Sequence, residues 1–336
     1  MKGRLIKILL LIMAIALALV VFLIIRQPST ESETESPSKE DEEASEKWQE
    51  GVISYNGKEY VFNNKLKTYL FMGIDKDGEV AEGVDAHDGG QSDAMFLLVA
   101  DEENESVKIV SIPRNTMAMV DEYTEDNEFC QRREMQICLA HAYGDGKRQS
   151  CNRAAEATSR LFYQLPINGY FSVNMGAVPI INSMVDGVTL TSLEDVISEG
   201  TVISEGSEVT LTDQQAYDYV HYRRDEFGAA NDRLDRQTQY INAYLAKLLA
   251  ISENEGKAAL LERYAELEPY VVTNLDFADF IDRVSGFTYD ENDIVILPGH
   301  LEEGEFDEYY PDNESFYEMI LDIWYSEQTE SNLNRN

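Results

Sequence analysis

The sequence predicts an α/β domain that stands outside a membrane on a single N-terminal helix. Three observations support this: an apolar run near the amino terminus, an alternation of short apolar runs with longer helical periods, and a composition able to form a core. Of the 336 residues, 43% are hydrophobic and 10% aromatic, so the chain is not disordered as a whole.

The membrane helix is predicted from residues 8–25, an unbroken apolar stretch about 27 Å long as a helix at ~1.5 Å per residue. Residues 1–7 form a short basic stub, whereas Arg26 alone follows the span before an acidic run. This asymmetry places the stub in the cytoplasm and the rest of the chain outside. A cleaved signal peptide is the alternative, but bulky rather than small side chains end the apolar run, which favours an uncleaved anchor.

Residues 26–50 predict a disordered tether, because acidic residues and serines dominate and too few apolar side chains are present to offset the entropy of ordering. Residues 51–300 then predict the folded extracytoplasmic domain. Residues 301–336 are acidic but rich in aromatic side chains, which favours a helix over 313–325 docked on the domain rather than a free tail.

Within the domain, short apolar runs bounded by turn-forming residues predict strands, and longer runs with a helical period predict helices. The predicted strands cover 68–74, 94–100, 107–112, 169–173 and 294–297. The predicted helices cover 152–165 with an Asn152 cap, 177–185, 212–222 with a Thr212 cap, 233 to beyond 249, 257–270 and 277–284.

Charge and cysteine content exclude several classes. With 27 basic and 63 acidic residues the formal charge is −36, which argues against nucleic-acid binding. Three cysteines fit neither a zinc motif nor a disulfide scaffold, so one bridge, with Cys138 to Cys151 as the first choice, and three buried thiols both remain open. The chain also lacks the GxSxG, GxxxxGKS and HExxH motifs and a dinucleotide fingerprint.

Charged residues at predicted strand ends are the first candidates for a site. Asp75 follows one strand, Asp93 precedes the next and Arg114 follows a third. Ligand crevices of open α/β sheets lie outside strand ends. Carboxylates beside arginines suit Mg²⁺ bridging phosphate oxygens, with Mn²⁺ an equal alternative, although turn chemistry alone also places aspartates there.

A second candidate is the stretch HYRRDEFGAANDRLDRQ from His221 to Gln237, which concentrates arginines in an acidic protein. Arginine binds phosphate through two parallel hydrogen bonds. Arg233, Arg236 and Gln237 are spaced i, i+3, i+4 and so share one helix face that is able to converge on an anion. The alternative is a salt-bridged solvent face, because four acidic residues balance the four arginines. For each of the four histidines, a structural or surface role is the expectation.

Ordered sequence blocks over most of residues 66–250 resemble the LytR-CpsA-Psr (LCP) family of membrane-anchored bacterial proteins. The blocks are LFMGID ending at Asp75, QSDAMFLL from Gln91, SIPRNT around Arg114, HAYGDG at His141, MVDGVTL from Met184 and YVHYRRDEFGAANDRLDRQ ending at Gln237. The resemblance implies a three-layer α/β/α domain. It also implies a phosphotransferase that moves a glycopolymer, such as teichoic acid or capsular polysaccharide, from undecaprenyl pyrophosphate to a peptidoglycan hydroxyl.

The resemblance assigns roles residue by residue. Asp75 and Asp93 match aspartates that hold magnesium or assist the attacking hydroxyl, and Arg114, Arg223 and Arg233 match arginines that bind pyrophosphate. Gln237 matches a glutamine of the same pocket. Asp93, Arg114 and Arg233 are therefore the expected catalytic residues.

At two positions the chain has Gln91 and His221 where the family usually has arginine, and Asn115 replaces the usual aspartate. We expect Gln91, His221 and the neighbouring Arg224 to complete the pyrophosphate site. Two other functions use the same site: a polyprenyl-phosphate or glycan-binding protein without turnover, and a hydrolase of the lipid pyrophosphate.

Overall fold

The computed structural model describes residues 52–80, 89–222, 229–255, 265–275, 294–303 and 306–328. The predicted cytoplasmic stub, membrane helix, tether and 277–284 helix lie outside these residues. Within the described part of the chain, no helix is both long enough and apolar enough to cross a bilayer.

The bounds of the strands and α-helices, numbered in chain order, are as follows. The strands are β1 (Val52–Tyr55), β2 (Lys58–Phe62), β3 (Leu66–Ile74), β4 (Ser92–Asp101), β5 (Ser106–Ile112), β6 (Met117–Tyr123), β7 (Phe129–Gln136), β8 (Gly169–Asn174), β9 (Thr189–Thr191), β10 (Val196–Ser198), β11 (Thr201–Ile203), β12 (Glu208–Thr210), β13 (Val271–Thr273), β14 (Ile294–Ile296), β15 (Gly299–Glu303), β16 (Asp307–Pro311) and β17 (Tyr325–Glu327). The α-helices are α1 (Leu139–Ala142), α2 (Arg148–Leu161), α3 (Val178–Ser183), α4 (Asp213–His221), α5 (Ala229–Glu255) and α6 (Asn313–Trp324).

A six-stranded mixed sheet in the order β13-β8-β3-β4-β5-β14 forms the centre of the domain. Strand β4 runs antiparallel to both β3 and β5, whereas β8 and β14 run parallel to β3 and β5, respectively. The central strands are apolar on both faces, as expected for strands covered on both sides.

Helices cover each face of this sheet. On one face, Tyr69 and Leu98 belong to a core that includes residues of α3, α4 and α5. On the other face, their neighbours Leu70 and Leu97 belong to a second core that includes residues of α2 and α6. Because successive side chains of a strand point to opposite faces, one apolar strand supplies both cores. The prediction of an α/β fold is confirmed, and its layers are helix, sheet and helix.

The predicted strands of the central sheet and the Thr212-capped helix are confirmed. The Thr212 hydroxyl accepts a hydrogen bond from the Gln215 backbone N–H, while the Gln215 side chain accepts one from the Thr212 N–H, which forms a capping box. The predicted start of α2, at Asn152, was wrong by four residues. The Asp145 carboxylate accepts hydrogen bonds from the backbone N–H groups of Lys147 and Ser150, so the helix begins at Arg148 and Asn152 lies inside it.

Other boundaries also differ from the prediction. Helix α5 begins at Ala229 rather than Arg233, and the described part of the predicted 257–270 helix is a 3₁₀ turn over Ala265–Tyr270. The β6–β7 hairpin was not predicted, because most of β7 is exposed and polar and so lacks an apolar signal.

The predicted docking of the C-terminal helix is confirmed, with α6 ending at Trp324 instead of Tyr325. Trp324 is fully buried against Phe162, and its indole N–H donates to the Thr68 hydroxyl over 2.9 Å. Strand β17 then pairs with β2, so the end of the described chain is joined to its beginning. The C-terminal segment is therefore part of the second core.

We predict that Trp324→Ala lowers the free energy of unfolding by about 3 to 5 kcal/mol, because it removes a buried aromatic side chain and leaves a cavity. Chemical denaturation of the full chain measures the change. The matched control is Phe306→Ala, an aromatic residue of the same C-terminal segment that is 67% exposed. Equal stability losses in the two variants would contradict docking of α6.

Candidate functional site

The strand topology gathers the predicted charged residues at one end of the central sheet. Strands β3 and β5 run parallel to each other and end there, and β4 starts there because it is antiparallel to both. Asp75 directly follows β3, Asp93 is the second residue of β4, and Arg114 lies two residues beyond β5. The prediction of a charged cluster at the strand ends is confirmed.

A register shift in the β3–β4 ladder sets the position of Asp93. Gly73 pairs with Ala94, but the next residue, Ile74, pairs with Ser92, so Asp93 has no partner across the ladder. A bulge of this kind redirects one side chain out of the regular alternation. The extra residue of this bulge is Asp93 itself, on strand β4.

Asp93 holds two arginines that come from different parts of the chain. Its Oδ1 lies 3.1 Å from Arg114 Nε, and its Oδ2 accepts a hydrogen bond from Arg233 Nη1 over 2.9 Å. The side chains of Asp93 and Arg233 are 4% and 5% exposed, and that of Arg114 is 14% exposed. Two guanidinium groups thus share one buried carboxylate, which leaves one net positive charge among the three groups.

Gln91 and Cys138 hold the far side of the Arg114 guanidinium. Arg114 Nη2 donates to Gln91 Oε1 and lies 3.3 Å from Cys138 Sγ. Burial raises the pKa of the Cys138 thiol although Arg114 opposes the shift, so the sulfur is a neutral thiol at pH 7. Burial by itself lowers the pKa of Arg114, but its interactions with Cys138, Asp93 and Asp75 outweigh that effect and raise the pKa, which keeps the arginine charged.

Asp75 is the more accessible carboxylate of the site. Its side chain is 50% exposed, and its Oδ1 lies 4.0 Å from His221 Nε2. The His221 ring stacks on Tyr217 with centroids 5.1 Å apart, and the Tyr217 hydroxyl donates to Asp77 over 2.6 Å. The C-terminal end of α4 therefore lies against the loop after β3, which places His221 at the rim of the site.

Arg233, Arg236 and Gln237 share a helix face, but the structure gives them different partners, and Arg236 does not join the charged residues at the strand ends. Arg233 alone of the three reaches Asp93. Arg236 donates to the backbone carbonyls of Tyr219 and Tyr222 and pairs with Glu194, while the Gln237 amide donates to the carbonyl of Val220. These two side chains satisfy carbonyl groups at the end of α4, which an α-helix leaves without internal partners. Arg223 and Arg224 lie outside the described residues.

Of the two alternatives left open for the cysteines, the structure has the one without a bridge, because all three cysteines are free. The alternative of three buried thiols holds for Cys138 and Cys151, whereas Cys130 is exposed. Cys138 faces Arg114, and Cys151 Sγ lies 3.8 Å from His141 Nε2 on a different helix. The two thiols therefore contact different partners and do not face each other.

His141 stabilises the loop that carries Gln91. Its Nδ1 donates to the backbone carbonyl of Gly90 over 2.9 Å, and Gly90 itself adopts a φ of +78°, which favours glycine. His141 is fully buried, and burial lowers its pKa from the ordinary 6.5 to about 4. The predicted structural role of this histidine is confirmed, and the exposed position of His300 confirms its surface role.

An apolar cavity of about 270 Å³ begins beside the charged cluster. Gly73 and Ala94, the residues paired next to the Asp93 bulge, line it together with side chains of β8, α3 and α5. Two polar side chains, Gln237 and Thr238, also reach its wall. The site thus combines a buried pair of arginines with an adjoining apolar cavity.

A profile of the LytR_cpsA_psr family matches residues 21–322. The chain belongs to the LytR_cpsA_psr family. Among its relatives, the polyisoprenyl-teichoic acid–peptidoglycan teichoic acid transferase TagU of Bacillus cereus is 28% identical over 225 residues, which are 65% of this chain and 63% of the relative. The TagU of Halalkalibacterium halodurans is 27% identical over 188 residues, 55% of this chain and 57% of that protein. The chain therefore spans less than two thirds of the length of these relatives.

Solved structures agree on the fold. Bacillus subtilis TagV superposes with a TM-score of 0.57 at 23% identity, over 77% of this chain and 96% of that one. A Streptococcus agalactiae protein superposes with a TM-score of 0.61 at 18% identity, over 77% and 86% of the two chains. At these identities the likeness establishes that this LCP chain has the fold of its family.

Among the described residues of this LCP protein, no three acidic, histidine or cysteine side chains converge as a metal cage. Magnesium needs only one or two carboxylates when substrate phosphates supply further ligands. Asp75 is half exposed, and the buried Oδ1 of Asp93 accepts no hydrogen bond despite its ion pair with Arg114. Asp75 and Asp93 are therefore the two carboxylates that would serve such an ion, with phosphate oxygens of the substrate as its other ligands.

We predict that His141 makes this LCP chain less stable as the pH falls. Because the pKa of His141 is lower in the folded chain, the unfolded chain binds the proton first, so its contribution is complete above pH 6.5 and is lost towards pH 4. Between these limits the free energy of unfolding should change with pH less steeply in His141→Gln than in the unmodified chain, by up to about 1.4 kcal/mol per pH unit.

Urea denaturation of both proteins across this pH range measures the difference. The control is His300→Gln, because His300 is 60% exposed. Parallel pH profiles for His141→Gln and the unmodified chain would contradict a buried neutral His141.

Proposed function

We propose that the protein is a phosphotransferase that moves a glycopolymer of the teichoic acid or capsular polysaccharide type from undecaprenyl pyrophosphate to a peptidoglycan hydroxyl. The observation that carries the proposal is the Arg114–Asp93–Arg233 cluster beside an apolar cavity that is lined by Ala94, the neighbour of Asp93. A pyrophosphate on a long prenyl chain is an anion joined to an apolar tail, which matches the two halves of the site. The TagU relatives are named as transferases of teichoic acid from a polyisoprenyl carrier to peptidoglycan, which supports the same proposal.

In the proposed reaction, the acceptor oxygen forms a bond to the phosphorus that carries the glycan. The bridging P–O bond breaks, polyprenyl monophosphate leaves with the electron pair, and the hydroxyl proton passes to water. Arg114 and Arg233 bind the pyrophosphate and neutralise the charge that grows on its oxygens, which is the main contribution a protein makes to phosphoryl transfer. Gln91 and Cys138 keep the guanidinium of Arg114 in place.

Two carboxylates of the site are proposed to hold a metal ion. Asp75 and Asp93 would hold Mg²⁺, or Mn²⁺, which when bound supplies further neutralisation of the phosphate charge. His221 lies beside Asp75 at the half-exposed edge, and we assign it a hydrogen bond to the substrate in place of an arginine. Arg223 and Arg224 are proposed as further phosphate contacts from the segment before α5.

We also propose where the protein works. Residues 8–25 anchor it in the cell membrane with the amino terminus in the cytoplasm, and the acidic tether lets the domain reach lipid-linked substrate and wall outside. A lipid carrier and a wall acceptor meet only on this side of the membrane.

We predict that the full chain in detergent, given a short glycan on polyprenyl pyrophosphate, a peptidoglycan oligomer and Mg²⁺, forms a product whose mass equals acceptor plus glycan phosphate. Arg233→Lys should lower the rate about 100-fold, because it removes one preorganised donor from the developing charge. The matched control is Arg133→Lys, since Arg133 lies exposed on β7 and pairs with Glu122. Full transfer by Arg233→Lys would contradict the assignment.

Asp93→Ala should abolish transfer and also lower the free energy of unfolding by about 3 to 5 kcal/mol, because it leaves two arginines without their buried carboxylate. Transfer rates of this variant therefore need a parallel measurement of stability. Release of glycan phosphate without an acceptor product would identify a hydrolase.

One observation favours a binding protein without turnover as the second candidate. At position 91 the resemblance leads one to expect an arginine, but this chain has Gln91. Gln91 accepts a hydrogen bond from Arg114, so one N–H group of Arg114 binds Gln91 instead of the substrate. If the lipid substrate binds but stays intact, the double variant Gln91→Arg with His221→Arg distinguishes the two functions. Transfer gained by that variant would favour the binding protein, whereas transfer by the unmodified chain excludes it.

We predict that Ile241→Trp blocks binding of the prenyl chain, because Ile241 lines the apolar cavity and the larger ring fills it. Binding of polyprenyl phosphate should weaken at least tenfold while binding of inorganic pyrophosphate stays unchanged. Ala246→Trp is the control on the same helix, at an exposed position. Equal lipid affinity in Ile241→Trp and the unmodified chain, both measured by calorimetry, would show that the cavity does not hold the tail.

A further inference from the structure

A second cleft lies between the β1–β2 hairpin and the C-terminal helix α6. Its volume is about 460 Å³, within the range of about 300 to 1,000 Å³ common for ligand clefts. Tyr55, Tyr60 and Tyr325 line it together with the carboxylates of Glu318 and Asp322. The Tyr55 hydroxyl donates to Glu318 over 3.3 Å, so aromatic side chains and hydrogen-bonding groups lie side by side in the cleft.

A band of aromatic rings continues from this cleft along the surface. The Tyr55 ring packs edge-on against Tyr317 with centroids 5.2 Å apart, and Tyr317 packs against Tyr163 at 5.7 Å. Tyr163 is 43% exposed. Aromatic rings therefore continue on the surface beyond the cleft itself.

The charges of the cleft disfavour a phosphate ligand. Its Lys58 is paired with Glu327 over 2.7 Å, and the neighbouring Lys108 is paired with Asp322 over 3.2 Å. With Glu318, the three carboxylates exceed the two lysines by one negative charge. An anionic polymer or an anionic membrane surface would be repelled, whereas a neutral ligand would not be.

We propose that this cleft, called here the tyrosine cleft, binds a neutral saccharide. Sugar rings present C–H groups on their faces and hydroxyls at their edges. Tyrosine rings offer flat apolar surfaces for those faces, and the carboxylates accept hydrogen bonds from the hydroxyls. The combination in Tyr55, Tyr60 and Glu318 is therefore complementary to a glycan chain of a few residues.

The tyrosine cleft is separate from the phosphate site. Strand β2 lies just before β3, whose start is at the cleft end of the sheet, whereas Asp75 follows its far end. The nine residues of β3 separate the two by roughly 27 Å at ~3.3 Å per residue. The proposed saccharide site thus does not depend on the proposed transfer reaction.

Calorimetric titration of the full chain in detergent with the β-1,4-linked tetramer of N-acetylglucosamine tests the proposal. We expect the tetramer to bind, Tyr60→Ala to weaken it at least tenfold, and Tyr60→Phe to restore binding to within about threefold, because the ring provides the contact. Glu318→Gln, which keeps the size of the side chain, tests the cleft without removing a ring and should weaken binding severalfold.

The control is Tyr310→Ala, a half-buried tyrosine on β16 that pairs with Glu308 away from the cleft. Arg233→Lys should bind the tetramer as the unmodified chain does, so a loss of transfer and a loss of saccharide binding are distinguishable. The proposal is overturned if the tetramer does not bind, if Tyr60→Ala and Glu318→Gln both bind it normally, or if a glycerol phosphate oligomer binds the cleft in its place.

Discussion

The buried carboxylate of Asp93 is the contact on which the rest of the site depends. It joins the start of β4, the loop after β5 and the first turns of α5, three segments far apart in the sequence. Two like charges buried close together repel each other more strongly than they would in water, because the effective dielectric constant is lower. The shared carboxylate offsets this repulsion and lets both arginines stay buried at one end of the sheet.

Each neighbour of this contact limits how the arginines are able to move. Arg114 is held on its other side by Gln91 and Cys138, and the loop that carries Gln91 is fixed in turn by His141. Helix α5 is fixed against α4 because Arg236 and Gln237 bind the carbonyl groups at the end of α4. Helical spacing predicted one shared role for Arg233 and Arg236. In the structure Arg233 pairs with Asp93, whereas Arg236 joins α5 to α4.

Features of the fold and of the site that depend on neighbouring residues could be predicted from the sequence. Features that depend on contacts between residues far apart in the sequence could not. The central strands were predictable because both of their faces are apolar, and the Thr212 cap because its signal is local. Helical spacing established that Arg233, Arg236 and Gln237 share a face, but not which groups lie opposite that face. The bulge at Asp93 and the cavity beside it depend on pairings between distant strands, which no local pattern records.

Because the overall charge is −36, binding of an anionic ligand would depend on where in the protein the arginines lie. Exposed charges further apart than about 8 Å are largely screened at physiological ionic strength, so an anionic ligand responds mainly to groups near its own position. Arg114 and Arg233 are buried, where screening by salt is weak, so their charges act mainly on groups at this end of the sheet. For the pyrophosphate binding proposed here, the position of these two arginines therefore matters more than the overall charge of the chain.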